Sequence, residues 1–128
     1  MELLTKAELK AFFKKKTKLL ESEEVLRGLC DYRVELQSSG EGQEIIKRLD
    51  EDISELTAKN ENVKAELEEQ GKLVKTTLKT VKDDTARNAL LMHYYDCTAW
   101  DAVANILHTT YGAIKGYCYR NLTKNGIN

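Results

Sequence analysis

Proline is absent from this 128-residue chain, and no long apolar run occurs in it. Without proline nothing forces a break in a long helix, and a charged content of about a third is typical of helices with solvated faces. No apolar stretch is long enough to cross a bilayer, and the N-terminus lacks the apolar core of a signal peptide. These absences predict a cytoplasmic, all-α protein without a membrane partner.

Cysteine and histidine are also scarce, with three and two residues. Cys30, Cys97 and Cys118 are an odd number without the spacing of a disulfide framework, which favours reduced thiols inside a cell. His93 and Cys97 are four residues apart, but no second pair completes a zinc site. Phosphate-binding loops and nucleophile motifs are missing as well. We therefore expect no metal, no cofactor and no enzymatic activity.

Helical periodicity dominates the first two thirds of the chain. Thr5 and Glu8 form a capping box that starts a first helix over residues 6–36. The loop signal at 37–42 separates it from a second helix over 43–83. The first helix has an apolar stripe that continues to Val34 or Leu36 and contains Leu9, Phe12, Phe13, Leu19, Leu20, Leu26, Leu29 and Cys30. The second helix has a heptad seam that consists of Ile46, Leu49, Ile53, Leu56, Asn60, Val63 and Leu67.

A helix of this length cannot bury its seam alone, so it needs either the first helix or a second copy as partner. A parallel dimer would set Lys59 of one chain against Lys64 of the other, which is repulsive. We therefore expect residues 6–36 to fold back on 43–82 as an antiparallel hairpin, with a homo-oligomer through the long helices as the alternative. Near Gly71 the phase of the seam slips, which predicts a change of packing partner; the apolar line continues through Val74, Leu78 and Val81.

Residues 98–122 have the pattern of a helix-turn-helix. Thr98 is the predicted N-cap of a short helix, with Asp101 as its capping-box partner, and Thr110 can cap the next helix. Ala104 is the small residue expected where the two helices cross. The wedge around it is expected to contain Val103, Leu107, Ile114, Tyr117 and Leu122.

His108 holds the turn position that often carries glycine, because the chain there must take a left-handed conformation that His enters more readily than most residues. A further helix over residues 85–95 can cover the wedge. The predicted organisation is all-α, with a long, coiled-coil-like antiparallel hairpin over 1–84 and a small three-helix helix-turn-helix domain over 85–128.

A helix-turn-helix presents the start of its second helix to the major groove, so DNA binding is the leading hypothesis. Residues 85–128 support it modestly, with four basic and two acidic residues. Lysines 14–16 and 18 could touch phosphate, although acidic residues follow directly and favour a solvated helix face. The predicted DNA contacts are Thr110, Tyr111, Lys115, Tyr119, Arg120 and Lys124.

The segments Arg87–Tyr95 and Thr98–Ala104, followed by Leu107 and Ile114, resemble region four of bacterial sigma factors. A long charged helical N-terminus ahead of such a domain is similar to small phage and prophage regulators of Gram-positive bacteria, of the RinA and ArpU type. The resemblance implies control of late or packaging genes by binding promoter DNA, with RNA polymerase as a candidate partner. The predicted recognition helix departs from it, since two glycines and three tyrosines stand where sigma domains carry Arg, Glu or Gln.

Two alternatives to a transcription regulator stay open at this point. One is a DNA-packaging component like a phage small terminase subunit, which also joins a helix-turn-helix to helical oligomerisation elements. The other is a helical adaptor that binds only protein. A ring of many subunits would favour packaging, whereas a monomer or dimer would favour regulation.

Overall fold

A computed structural model describes residues 2–40 and 42–128, and every regular element in them is helical. The predicted fold class, a long helical hairpin followed by a small helix-turn-helix domain, is confirmed. None of the described helices is both long and apolar enough to cross a membrane. The elements are α1 (Lys6–Ser39), α2 (Gln43–Leu78), α3 (Asp84–Leu90), a π-helical turn (Leu91–Tyr95), α4 (Trp100–Ile106) and α5 (Tyr111–Lys124).

The first helix starts at the predicted capping box. The Thr5 backbone N–H donates to the Glu8 carboxylate at 3.0 Å, and the Glu8 N–H donates to the Thr5 hydroxyl at 3.2 Å. Two of the unpaired N–H groups at the helix start are thereby satisfied. The helix runs slightly beyond its predicted end and is followed by Gly40 in the left-handed region, with φ of 73°. Of the predicted loop, Glu41 lies outside the described residues.

Residues 17–66 form one compact unit, an antiparallel hairpin of α1 and α2. Ser22 pairs with Asn60, and Arg33 forms an ion pair with Asp50. Because residue numbers rise on one helix as they fall on the other, these two pairs fix the antiparallel direction. The heptad seam is buried or half-buried throughout, as predicted.

Asn60 is a buried polar residue in that seam. Its side-chain oxygen accepts a hydrogen bond from the Ser22 hydroxyl at 2.7 Å, whereas its Nδ2 has no partner among the described residues. On α1 the predicted apolar stripe is too wide. Leu20, Val34 and Cys30 are exposed, because only the narrower line facing α2 is buried.

The second compact unit combines the chain up to residue 16 with residues 67–128. Gly71 marks the predicted change of packing partner: a Cβ there would lie 3.3 Å from Tyr95 and 3.7 Å from Phe12. Val74, Leu78 and Val81 follow it and are fully buried. The boundaries of the two units differ from those of the predicted domains 1–84 and 85–128, because each of the two long helices has residues in both units.

The second helix ends at Leu78, five residues before its predicted end. Asp83 caps α3 instead, and its carboxylate accepts a hydrogen bond from the Ala86 N–H at 2.8 Å. A capping residue must have extended backbone, so α2 cannot continue through it. The helix predicted over 85–95 is α3 followed by the wider π turn, which buries the neighbouring His93 and Tyr94 together.

Candidate nucleic-acid interface

The helices α4 and α5 form the predicted helix-turn-helix. Val103 and Ala104 of α4 and Ile114 of α5 are buried, and Leu107 ends α4 half-buried. His108 adopts the predicted left-handed conformation, with φ of 54°, and the Thr109 N–H donates to the Ala104 carbonyl at 2.9 Å. This hydrogen bond therefore ties the turn to Ala104, the small residue where α4 and α5 cross.

The predicted cap of α4 is wrong. Ala99, not Thr98, holds the N-cap position, and no side chain caps this helix. The reason lies in the Thr98 backbone, whose N–H donates to the Met92 carbonyl and whose carbonyl accepts from His93. These bonds hold Thr98 one residue ahead of the cap position, with Cys97 before it in the left-handed region.

The start of α5 is exposed. Thr110 is its N-cap, as predicted, and its hydroxyl accepts a hydrogen bond from the Ala113 N–H at 3.3 Å. Residues 108–113 are all exposed. The free N–H groups and the positive end of the helix dipole thus face solvent, which suits an approaching phosphate.

Three of the predicted contact residues lie together on one flank of α5. The Lys115 ammonium donates to the Tyr111 hydroxyl at 3.3 Å and lies 5.4 Å from that ring's centroid and 5.7 Å from the Tyr119 centroid. The Tyr111 hydroxyl is the first cause of a raised pKa of Lys115. Tyr111 is exposed, but Tyr119 is half-buried with its ring edge-on to Trp100 at 6.3 Å, so it is less accessible than predicted.

Arg120 and Lys124, the predicted phosphate contacts, are exposed but lie away from this flank. Lys124 is nine residues from Lys115, which is about 180° around an α-helix. Around the helix, Gly112 and the half-buried Gly116 lie between the two groups, whereas Ala113 lies on the side of Arg120 and Lys124. The predicted contact residues therefore lie on two flanks of α5, and the Arg120 guanidinium reaches over Gly116, where a Cβ would lie 3.2 Å from its Nη1.

Cys118, for which the sequence predicted no packing role, is more deeply buried than Tyr117, which was expected in the wedge. Cys118 is fully buried between Ile114 and Leu122, and burial raises the pKa of its thiol to about 12. Tyr117 is half-buried, and its hydroxyl donates to the Asp83 carboxylate. That hydrogen bond is the first cause of the lowered pKa of Asp83.

Lysines of α1 line the same flank of α5. The sequence offered Lys14 among the lysines that could touch phosphate, with a solvated helix face favoured, and it gave no indication of Lys6 or Lys10. The ammonium groups of Lys6 and Lys10 lie 6.0 and 5.5 Å from the Tyr119 ring centroid. Lys14 borders the same groove as Lys115. The only local signal is their spacing, since residues 6, 10 and 14 share one face of a helix.

The groove between these lysines and α5 has a volume of about 640 Å³ and includes aromatic side chains in its lining. His93 is stacked between Phe13 and Trp100, with centroid separations of 4.4 and 4.1 Å. Its Nδ1 donates to the Thr98 carbonyl at 2.8 Å. Tyr94 also belongs to this lining, and its buried hydroxyl has no hydrogen-bond partner within the described residues.

Charge is unevenly divided between the two units. The unit that contains the helix-turn-helix has thirteen Lys and Arg against eight Asp and Glu, a net charge of +5. Residues 17–66 have seven against thirteen, a net charge of −6. The overall charge of −1 therefore conceals a basic unit, and its excess comes from the start of α1 and from residues 85–128.

His93 should make the free energy of unfolding depend on pH. Burial lowers its pKa below 6.5 in the folded protein, so the unfolded chain binds this proton at higher pH. Its contribution is fully present above about pH 6.5 and is lost as the pH falls toward the folded-state pKa, with a slope of at most about 1.4 kcal/mol per pH unit for one proton. Urea titrations between pH 7 and pH 5 measure this slope.

The variant His93→Phe keeps an aromatic ring in the stack and should show a smaller slope than the parent. The control is His108→Asn, since His108 is exposed and asparagine tolerates its left-handed backbone. An unchanged slope in His93→Phe would mean that another group causes the pH dependence.

Within the described part of the chain, no group of three His, Cys, Asp or Glu side chains is placed to hold a metal ion. The arrangement offers instead an exposed helix start, two basic flanks and a groove with lysines on both sides. No family model, curated protein or solved structure matches this chain, so the function has to be inferred from this geometry.

Proposed function

We propose that this protein is a transcription regulator of the phage or prophage type, which binds promoter DNA through α5 with RNA polymerase as a candidate partner. One observation carries the proposal. The N-terminal end of α5 is exposed and capped by Thr110, at the front of a two-helix wedge whose crossing is closed on Ala104. A helix held in this way can enter a major groove with its first turn foremost.

The small, exposed residues in the first turn of α5 support a close approach to DNA. A Cβ on Gly112 would meet no other atom within 4 Å, and Ala113 beside it is exposed. With so little side chain between the helix axis and the groove, base contacts would come from the flank, above all from Lys115. Lysine and arginine reading guanine are the commonest specific contacts in the major groove.

Net positive charge in the same unit supports the attraction to phosphate. Arg120 and Lys124 lie near the end of α5 and are exposed, as backbone contacts need to be. Lys115 and Tyr111 are the long polar side chains near the helix start, beside the short hydroxyls of Thr109 and Thr110, so one copy would read few bases. Affinity would then need several copies or a partner on the DNA.

The experiment is a titration of duplex DNA at several salt concentrations, on a site selected from random duplexes and on random DNA. Lys115→Ala should cost about 1–3 kcal/mol more on the selected site than on random DNA. Arg120→Ala should weaken both about equally and reduce the slope of log K against log salt by about one. Lys64→Ala, an exposed lysine of the other unit, is the matched control.

The proposal fails if the parent protein binds no duplex at low salt, even with RNA polymerase present. The exposed small residues Gly112 and Ala113 at the start of α5 favour one other function, since small residues also let two helices pack closely. In that case the protein is a helical adaptor that binds protein only. Titration with DNA alone and with polymerase alone separates the two functions.

A further inference from the structure

We infer that the start of α1 is part of the DNA-contacting surface, through the ammonium groups of Lys6, Lys10 and Lys14. The inference rests on the proposed function and extends its interface to the other end of the chain. These lysines are four residues apart, so they form a single line along α1. Their ammonium groups would be about 6 Å apart along the helix axis.

Contacts with α5 set the position of this line. The Lys6 ammonium donates to the Thr123 hydroxyl at 2.6 Å, and the Lys10 ammonium lies 5.5 Å from the Tyr119 centroid. Four residues toward the C-terminus of α1 thus correspond to four residues toward the N-terminus of α5. The two helices run side by side in opposite directions, and Lys14 reaches the level of Lys115 across the groove.

Three ammonium groups of this surface lie close together around one aromatic ring. Lys6, Lys10 and Lys115 all have their ammonium group within 6.0 Å of the Tyr119 centroid. The salt bridges described for residues 2–40 and 42–128 include none of the three. The ring attracts each cation, but the cations repel one another. An anion at this rim would relieve the repulsion.

Duplex DNA fits this requirement as the source of the anion. It presents a continuous row of phosphates, about one charge per 1.7 Å of helix axis. The lysine line is itself a row, and it adjoins the flank of α5 that presents Tyr111 and Lys115. A duplex engaged by the start of α5 would therefore bring its backbone along the same flank.

The test compares the parent with the triple variant K6Q/K10Q/K14Q on random duplex DNA. Each phosphate contact contributes about 0.9 to the slope of log K against log salt, so the slope should fall by about 2 to 3. The control K47Q/K59Q/K64Q removes the same charge from exposed positions of the other unit and should leave the slope unchanged. The double variant K10Q/K14Q keeps the Lys6 contact with Thr123, so it guards against a loss of folding, and its slope should fall by about 2.

Equal slopes in the triple variant, the control and the parent would overturn the inference and leave the proposed function standing. An equal loss of slope in the triple variant and the control would also overturn it, because net charge alone would then explain the effect. Absence of DNA binding by the parent would instead defeat the proposed function.

Discussion

Replacing Trp100 with alanine is expected to lower the free energy of unfolding by about 3–5 kcal/mol. Trp100 is buried at the start of α4, stacks on His93 with a centroid separation of 4.1 Å, and meets Tyr94 and Tyr119 edge-on. The substitution would empty the centre of this cluster, and the neighbouring rings can close the space only in part. Urea unfolding followed by far-UV circular dichroism measures the change.

The control for this prediction is Tyr111→Ala, which removes an aromatic side chain that is 47% exposed. Its unfolding midpoint should stay close to that of the parent. Trp100→Phe should recover part of the loss because it keeps a ring in the stack. A Trp100→Ala variant as stable as the parent would show that this aromatic cluster contributes little to the free energy of unfolding.

The second large effect is expected for Ala104→Leu, which should cost about 1–3 kcal/mol. Ala104 is 3% exposed, and its carbonyl accepts the hydrogen bond that closes the turn to α5. A larger side chain there must push α5 away or take a strained rotamer. Thermal unfolding of the variant measures the cost.

Ala102→Leu is the matched control, since residue 102 is on the same short helix but exposed. It should leave the melting temperature nearly unchanged. If Ala104→Leu melts like Ala102→Leu, the two helices do not cross tightly at residue 104.

Local rules predicted much of this fold from the sequence. The caps at Thr5 and Thr110 depend on residues three positions away, and the left-handed conformation of His108 depends on the turn alone. The heptad seam of α2 follows from periodicity, and so does its change of partner at Gly71. Such features require no knowledge of distant parts of the chain.

Features that depend on distant packing were predicted poorly. Thr98 has the right residue type for a cap, but its backbone is already bonded to Met92 and His93. The lysines at the start of α1 become part of the candidate site only because α1 lies beside α5, more than a hundred residues later in the chain. The roles of Lys115 and Arg120 in DNA binding stay predictions.

The buried pair of Asn60 and Ser22 has a consequence for the alignment of the hairpin. Because heptads repeat, two apolar helices could slide by seven residues and still match their leucines and isoleucines. Such a slide would remove Asn60 from the Ser22 hydroxyl, and a buried polar group without a partner costs about 1–3 kcal/mol. The Asn60 Nδ2, which has no hydrogen-bond partner among the described residues, already lowers the stability of the folded state. In return, the pairing of Asn60 with Ser22 favours a single register of the hairpin, as a polar residue in the seam does in coiled coils.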